Sequence, residues 1–172
     1  MKTSDAIQAV IKAMCAAVEV PFVRAEQDGK RPKGLFLSYK IIRQEGEPAW
    51  RHSAEITADP DNENRTLITT RAKSQMTVSC SVQGSAAKYG ELWEAAIACL
   101  AWLDSEKALP VYEAQGLMPR AVPVTVQDRS AYLETGFETR LGFDIIFDGV
   151  TAVETAVDAV DTAATIAQLA QQ

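Results

Sequence analysis

Catalysis needs a nucleophile, an acid/base pair or a metal set that converges, and this chain offers few residues for any of them. His52 is the only histidine. A histidine-rich zinc site is therefore excluded, and a Ser-His-Asp triad would have to run through that one residue. No G-x-S-x-G or H-E-x-x-H pattern surrounds it. Beside Arg51 on a polar strand edge, it reads as an ordinary exposed histidine. Asp59, Asp61 and Glu63 imitate the opening of a calcium loop, but the glycine at the sixth position and the glutamate at the twelfth are missing, so the stretch reads as a solvated turn. Gly29-Lys-Arg-Pro-Lys-Gly34 lacks the G-x-x-x-x-G-K-[ST] spacing of a phosphate loop and does not open a helix. Cys15, Cys80 and Cys99 are odd in number and form no C-x-x-C pair, which predicts reduced, buried thiols and no disulfide framework. No catalytic residue, metal or cofactor is expected.

Charge distribution says more. Between residues 24 and 43 the basic residues Arg24, Lys30, Arg31, Lys33, Lys40 and Arg43 face only Glu26 and Asp28. From Asp144 onward the charged residues are Asp144, Asp148, Glu154, Asp158 and Asp161, with no lysine or arginine. If the two stretches lie on opposite flanks, identical subunits can meet head to tail and close a ring. Solvated surface without a partner is the competing reading. The net charge of −6 argues against a general nucleic-acid binder. It suits a channel through which DNA slides without being gripped.

A chain of 172 residues, 47% of them apolar, suits one domain with a real core. No apolar run approaches the roughly 20 residues that span a bilayer. The first residues lack the apolar centre of a signal peptide, so a soluble protein, intracellular at least when made, is expected.

The elements that must position these residues follow from periodicity. Ser4 is placed to cap a helix whose apolar stripe runs through Ile7, Val10, Ile11, Met14, Cys15 and Val18, with Pro21 ending it. Phe22 and Val23 begin a short extended segment. A polar turn with glycines at 29 and 34 leads into a strand from Leu35 to Ile42, apolar on both faces and hence central or covered on both sides. Residues 43 to 75, broken by Gly46-Glu47-Pro48 and the 59–64 turn cluster, form a candidate arm or hairpin. Within it Trp50 to Ala58 is expected to pair with the 35–42 strand, followed by a strand at Thr66 to Thr70. Met76, Val78, Cys80 and Val82 alternate with polar residues as one half-buried strand. A helix from about Ala86 to Ala108 carries a broad apolar face of Tyr89, Leu92, Trp93, Ala96, Ile97, Leu100 and Leu103. A short helical turn at Val111 to Gln115 and strands at Val122 to Asp128 and Thr139 to Phe147 follow. This is an α+β plan: one domain over residues 1–150, mainly antiparallel, with two main helices on the sheet. The tail, 151–172, fits strand or helix equally.

The order of these features resembles the phage neck and tail-terminator family. The resemblance rests on a helix, then Val-Arg-Ala-Glu-Gln-Asp with Arg31-Pro-Lys-Gly34, then the aromatic strand Leu35-Phe-Leu-Ser-Tyr-Lys-Ile41. Glu26-Gln27-Asp28 replaces the family's more usual Asn-Gln-Asn. Val78-Ser-Cys-Ser-Val-Gln-Gly84 before a long helix, and a closing strand pair around Arg129 and Phe143 to Phe147, extend it over residues 5 to 150. It implies a virion structural protein of the tail or neck, with no membrane role. Its subunits would form a hexameric homo-oligomer that caps the tail tube, contacts the tube protein and a head-side connector or stopper, and lets DNA pass without specific binding. On that resemblance the subunit or partner interface falls at Arg24, Gln27, Lys30, Arg31, Lys33, Arg43, Arg51, Arg71 and Lys73, and Tyr39, Trp93, Trp102 and Phe143 build the core. A connector or head-completion adaptor is the alternative within virion proteins. A small ligand-binding or regulatory α+β domain is the alternative outside them.

Overall fold

Alternating apolar residues on long strands, met by the apolar stripes of three helices, build the architecture seen in a computed structural model. It describes residues 3–25, 32–46, 52–62, 64–120, 124–133 and 136–158. In chain order the elements are α1 (Thr3–Ala17), β1 (Phe22–Arg24), β2 (Phe36–Gly46), β3 (Ser53–Ala58), β4 (Arg65–Gly84), a single 3-10 turn (Ala86–Lys88), α2 (Tyr89–Leu103), α3 (Leu109–Gln115), β5 (Leu117–Pro119), β6 (Gln127–Asp128), β7 (Ala131–Leu133) and β8 (Gly136–Asp158). The sheet order is β1-β2-β4-β8-β5, with β3 also on β4 and β6 and β7 also on β8. Strand β1 pairs parallel to β2, while β3 on β4 and β5, β6 and β7 on β8 are antiparallel. The fold is α+β and mainly antiparallel, as expected.

The chain divides into two compact units, one of residues 1–45 and 75–149, the other of 46–74 and 150–172. All of the buried apolar cluster belongs to the first. Ile7, Val10, Ile11 and Met14 of α1 and Leu92, Ala96 and Cys99 of α2 are fully buried. They close on Met76, Val78, Cys80 and Val82 of β4 and on Leu141, Phe143, Ile145 and Phe147 of β8. Period-two burial on the strands and three-to-four-residue burial on the helices bring one face of each together. The Tyr112 ring of α3 lies edge-on between Trp102 and Phe147, with centroids 6.3 and 6.4 Å away. Its hydroxyl donates to the Leu103 carbonyl at 2.8 Å, so the buried polar atom is satisfied. Tyr39, Trp102 and Phe143 are core residues, as expected.

Several local expectations are corrected. Helix α1 stops at Ala17, before Pro21 acts. Glu19 takes the left-handed conformation at φ 56°, and the Val20 N–H donates to the Cys15 carbonyl at 3.0 Å, a Schellman-type close. Strand β3 pairs with β4, not with the 35–42 strand, because the 59–64 turn joins β3 directly to β4. That turn is tightened by Asp59 and Asn62 carboxyl and amide oxygens, which accept from the N–H groups of Asp61 and Asn64 at 2.9 and 3.0 Å. The strands expected at 66–70 and 76–82 are one strand, since no glycine or proline interrupts Arg65 to Gln83. The long helix ends at Leu103, and only Gln127–Asp128 of the 122–128 strand forms among the described residues. Of the tail, residues 151–158 are strand, and the rest lies outside the described residues. Finally, Trp93 is not core. It is 41% exposed, in a stripe with Tyr89 and Ile97 at four-residue spacing on the outer side of α2.

In the second unit β3 and β4 form a hairpin, with Ile56 opposite Ile68 and Ser53 opposite Arg71. No described residue of this unit is buried.

Candidate assembly surface

The residues singled out from sequence divide between the two units. In the first, Arg24 is exposed at the end of β1, its backbone opposite Tyr39 of β2. Lys33 is exposed next to Gly34, whose φ of 83° is the left-handed geometry that a glycine supplies without strain. Arg43 is exposed on β2 and forms an ion pair with Glu45. In the second unit, Arg71 reaches across the hairpin to Glu55 at 2.8 Å, and Lys73 follows two residues later on the same strand. Gln27, Lys30, Arg31 and Arg51 lie outside the described residues. His52 is half-buried just before β3, instead of on an exposed strand edge.

A surface that the sequence reading missed is the polar side of the first unit's sheet. On β4 and β8 the residues between the core positions point away from the helices, and they are linked. Arg120, just past β5, donates to Asp148 through Nε at 3.0 Å and Nη2 at 2.8 Å, a two-pronged pair. Gln75 of β4 donates to the same carboxylate at 3.2 Å. Arg129, just past β6, donates to Ser79 at 2.9 Å and to Asp144 at 3.2 Å. Gly142 lies beneath that side chain: an added β-carbon would stand 2.5 Å from the Arg129 Cδ. Toward β2, the Gln83 amide donates to the Ser38 hydroxyl.

The electrostatics follow from these bonds. The Arg120 guanidinium beside Asp148 holds its carboxyl below the usual range, and Asp148 in turn raises the Arg120 value. Ser130, through its hydroxyl and backbone N–H, likewise lowers Asp128. Three carboxylates of the stretch that is acidic in sequence are ion-paired. Asp144, Asp148 and Asp158 are met by Arg129, Arg120 and Arg65, each far off in the chain. The only signal for them in the sequence was the four-residue spacing of Asp144 and Asp148, which puts both on one face of a strand.

Burial pushes Cys15 up to about 12 and Cys99 up to about 11, and raises Cys80 as well. All three cysteines are free and buried, as the odd count predicts. Among the described residues no group of three or more histidine, cysteine, aspartate or glutamate side chains could hold a metal ion. Among them, too, no helix is long and apolar enough to cross a membrane.

The charged surface of this α+β chain is knitted by pairs between distant segments. The chain belongs to the phage neck terminator protein family, whose model matches residues 5–171. It is thus a tail or neck component of a bacteriophage virion. No curated protein matches the chain.

Proposed function

We propose that this chain is the tail terminator itself: copies form a hexameric ring on the last ring of the tail tube, end its polymerisation, and present the surface to which the head-side connector or stopper joins. Family membership over nearly the whole chain carries this reading. The ring acts by fitting its neighbours and not by catalysis. Pairs such as Arg120–Asp148 and Arg129–Asp144 fix the shape of the surface without requiring a ligand. DNA passes through the ring without being held, since a chain of net charge −6 offers phosphates little attraction. Subunits are made and assembled in the host cytoplasm.

Electron microscopy of a lysate from a phage lacking this gene tests the reading. Overlong or variable tails beside unjoined, DNA-filled heads are expected. Tails of normal length with heads that fail to join would move the protein to the connector side. Intact infectious particles would remove it from the neck.

A further inference from the structure

Two strands run through both compact units. Strand β4 crosses from the second unit into the first between Ser74 and Gln75, and β8 crosses back between Gly149 and Val150. The two parts of each strand are held very differently. In the first unit the core reaches right to the crossing, where Met76 and Phe147 are fully buried. Strand β5 supports β8 there, and its pairing reaches no further than Gly149. Beyond the crossing no described residue is buried, and Ile56 is 64% exposed. The ion pairs Arg71–Glu55 and Arg65–Asp158 have at least half of each side chain in water, where such pairs contribute little. Strands that bury no apolar side chain are held chiefly by their ladder bonds, which puts them at the low end of local stability.

One side-chain network stands at the crossing itself. Gln75 is the first residue of the first unit on β4, and Asp148 lies one residue before that unit's last on β8. Asp148 accepts from Gln75 across the two strands at 3.2 Å, and from Arg120 through two bonds. The Arg120 backbone N–H donates to the Ile146 carbonyl at 2.8 Å, which anchors the guanidinium on the core side. We propose that the strands of the second unit open together while the first unit stays folded, and that the Arg120–Asp148–Gln75 network is the clasp at which the opening stops. Opening to that point uncovers no buried side chain among the described residues. One step further uncovers Met76 and Phe147, so burial of apolar surface sets the position of the stop. The clasp sharpens it, because fraying past Gln75 must also break charge-assisted bonds. The chain thereby carries a segment that opens and closes without disturbing its packed scaffold.

Hydrogen exchange of the purified chain, followed residue by residue by NMR, tests this. Amides of 53–58, 65–73 and 151–158 are expected to be protected roughly a hundredfold or more less than those of 76–83 and 141–147, with the break at the crossing. Equal protection along the whole of β4 would overturn the proposal. Two variants locate the stop. Asp148→Ala is expected to speed exchange at 76–78 and 145–147 about fivefold and to leave 80–83 and 141–143 at the parent level. Asp158→Ala, which removes the exposed pair with Arg65, is expected to leave 76–78 unchanged. A uniform change across β4 and β8 in the first variant, or the same change in both variants, would overturn the clasp.

Discussion

Arg129 lies flat on Gly142, so that a β-carbon on Gly142 would meet the guanidinium carbon at 2.8 Å. The glycine leaves the height that lets Arg129 reach Ser79 on β4 and Asp144 on β8 at once. Gly142→Ala should lift the arginine off both and destabilise the protein by about 1 kcal/mol or less, since the group displaced is the end of a flexible side chain. In an Arg129→Ala background the same change should cost much less. A denaturant double-mutant cycle measures this coupling, and additive effects would show that the arginine is not what the methyl group strikes.

The two tryptophans of α2 should behave oppositely. Trp102 packs edge-on against Tyr112, and Trp102→Ala is expected to cost about 3–5 kcal/mol. Trp93 stands on the outer side of the same helix, and Trp93→Ala should change stability by less than about 1 kcal/mol. Urea unfolding of the two variants checks the contrast.

The buried thiols predict a loss of stability in alkali. Their values are raised in the folded protein, so the unfolded chain ionises first, from about pH 8.5. Stability should be level below that value and fall as pH rises toward 11, by up to roughly 1.4 kcal/mol per unit for each cysteine. Denaturant melts between pH 7.5 and 10.5 would show it, and Cys99→Ala should lessen the slope.

Asp148 acts in the other direction. Its folded value is depressed by Arg120, so its contribution is complete above the unfolded carboxylate's value of about 3.9 and disappears as pH falls through the lower folded one. The pair is half exposed, so the effect should stay within about 1 kcal/mol. Melts from pH 6 to 2.5 should show a shallower acid limb in Asp148→Asn than in the parent.

Reversing Lys30, Arg31 and Lys33 to glutamate should leave the monomer's unfolding transition in place but prevent ring assembly on tail tubes. Negative-stain counts of capped tubes give the answer, and normal capping would take these residues out of the interface.

What the sequence made legible was whatever depends on period. The apolar stripes of α1 and β4 name their buried residues directly, and the odd cysteine count fits three free thiols. Pairing was harder to read. Nothing local says that β3 turns back on β4, or that Asp148 answers to Arg120, because both depend on which segments fold beside each other. Trp93 misled for a related reason: hydrophobicity marks what can be buried, and the helix had more of it than the sheet could cover. The interface residues remain a proposal, and Gln27, Lys30, Arg31 and Arg51 lie outside the described residues.

The connection after β5 leads to one last point. Arg120 is fastened to β8 at Ile146 by its backbone and at Asp148 by its side chain, and Gln127 rejoins β8 opposite Gly142. Between these two fastenings Val124 and Val126 pack against the core, so the connection is held down by its own side chains as well as at its ends.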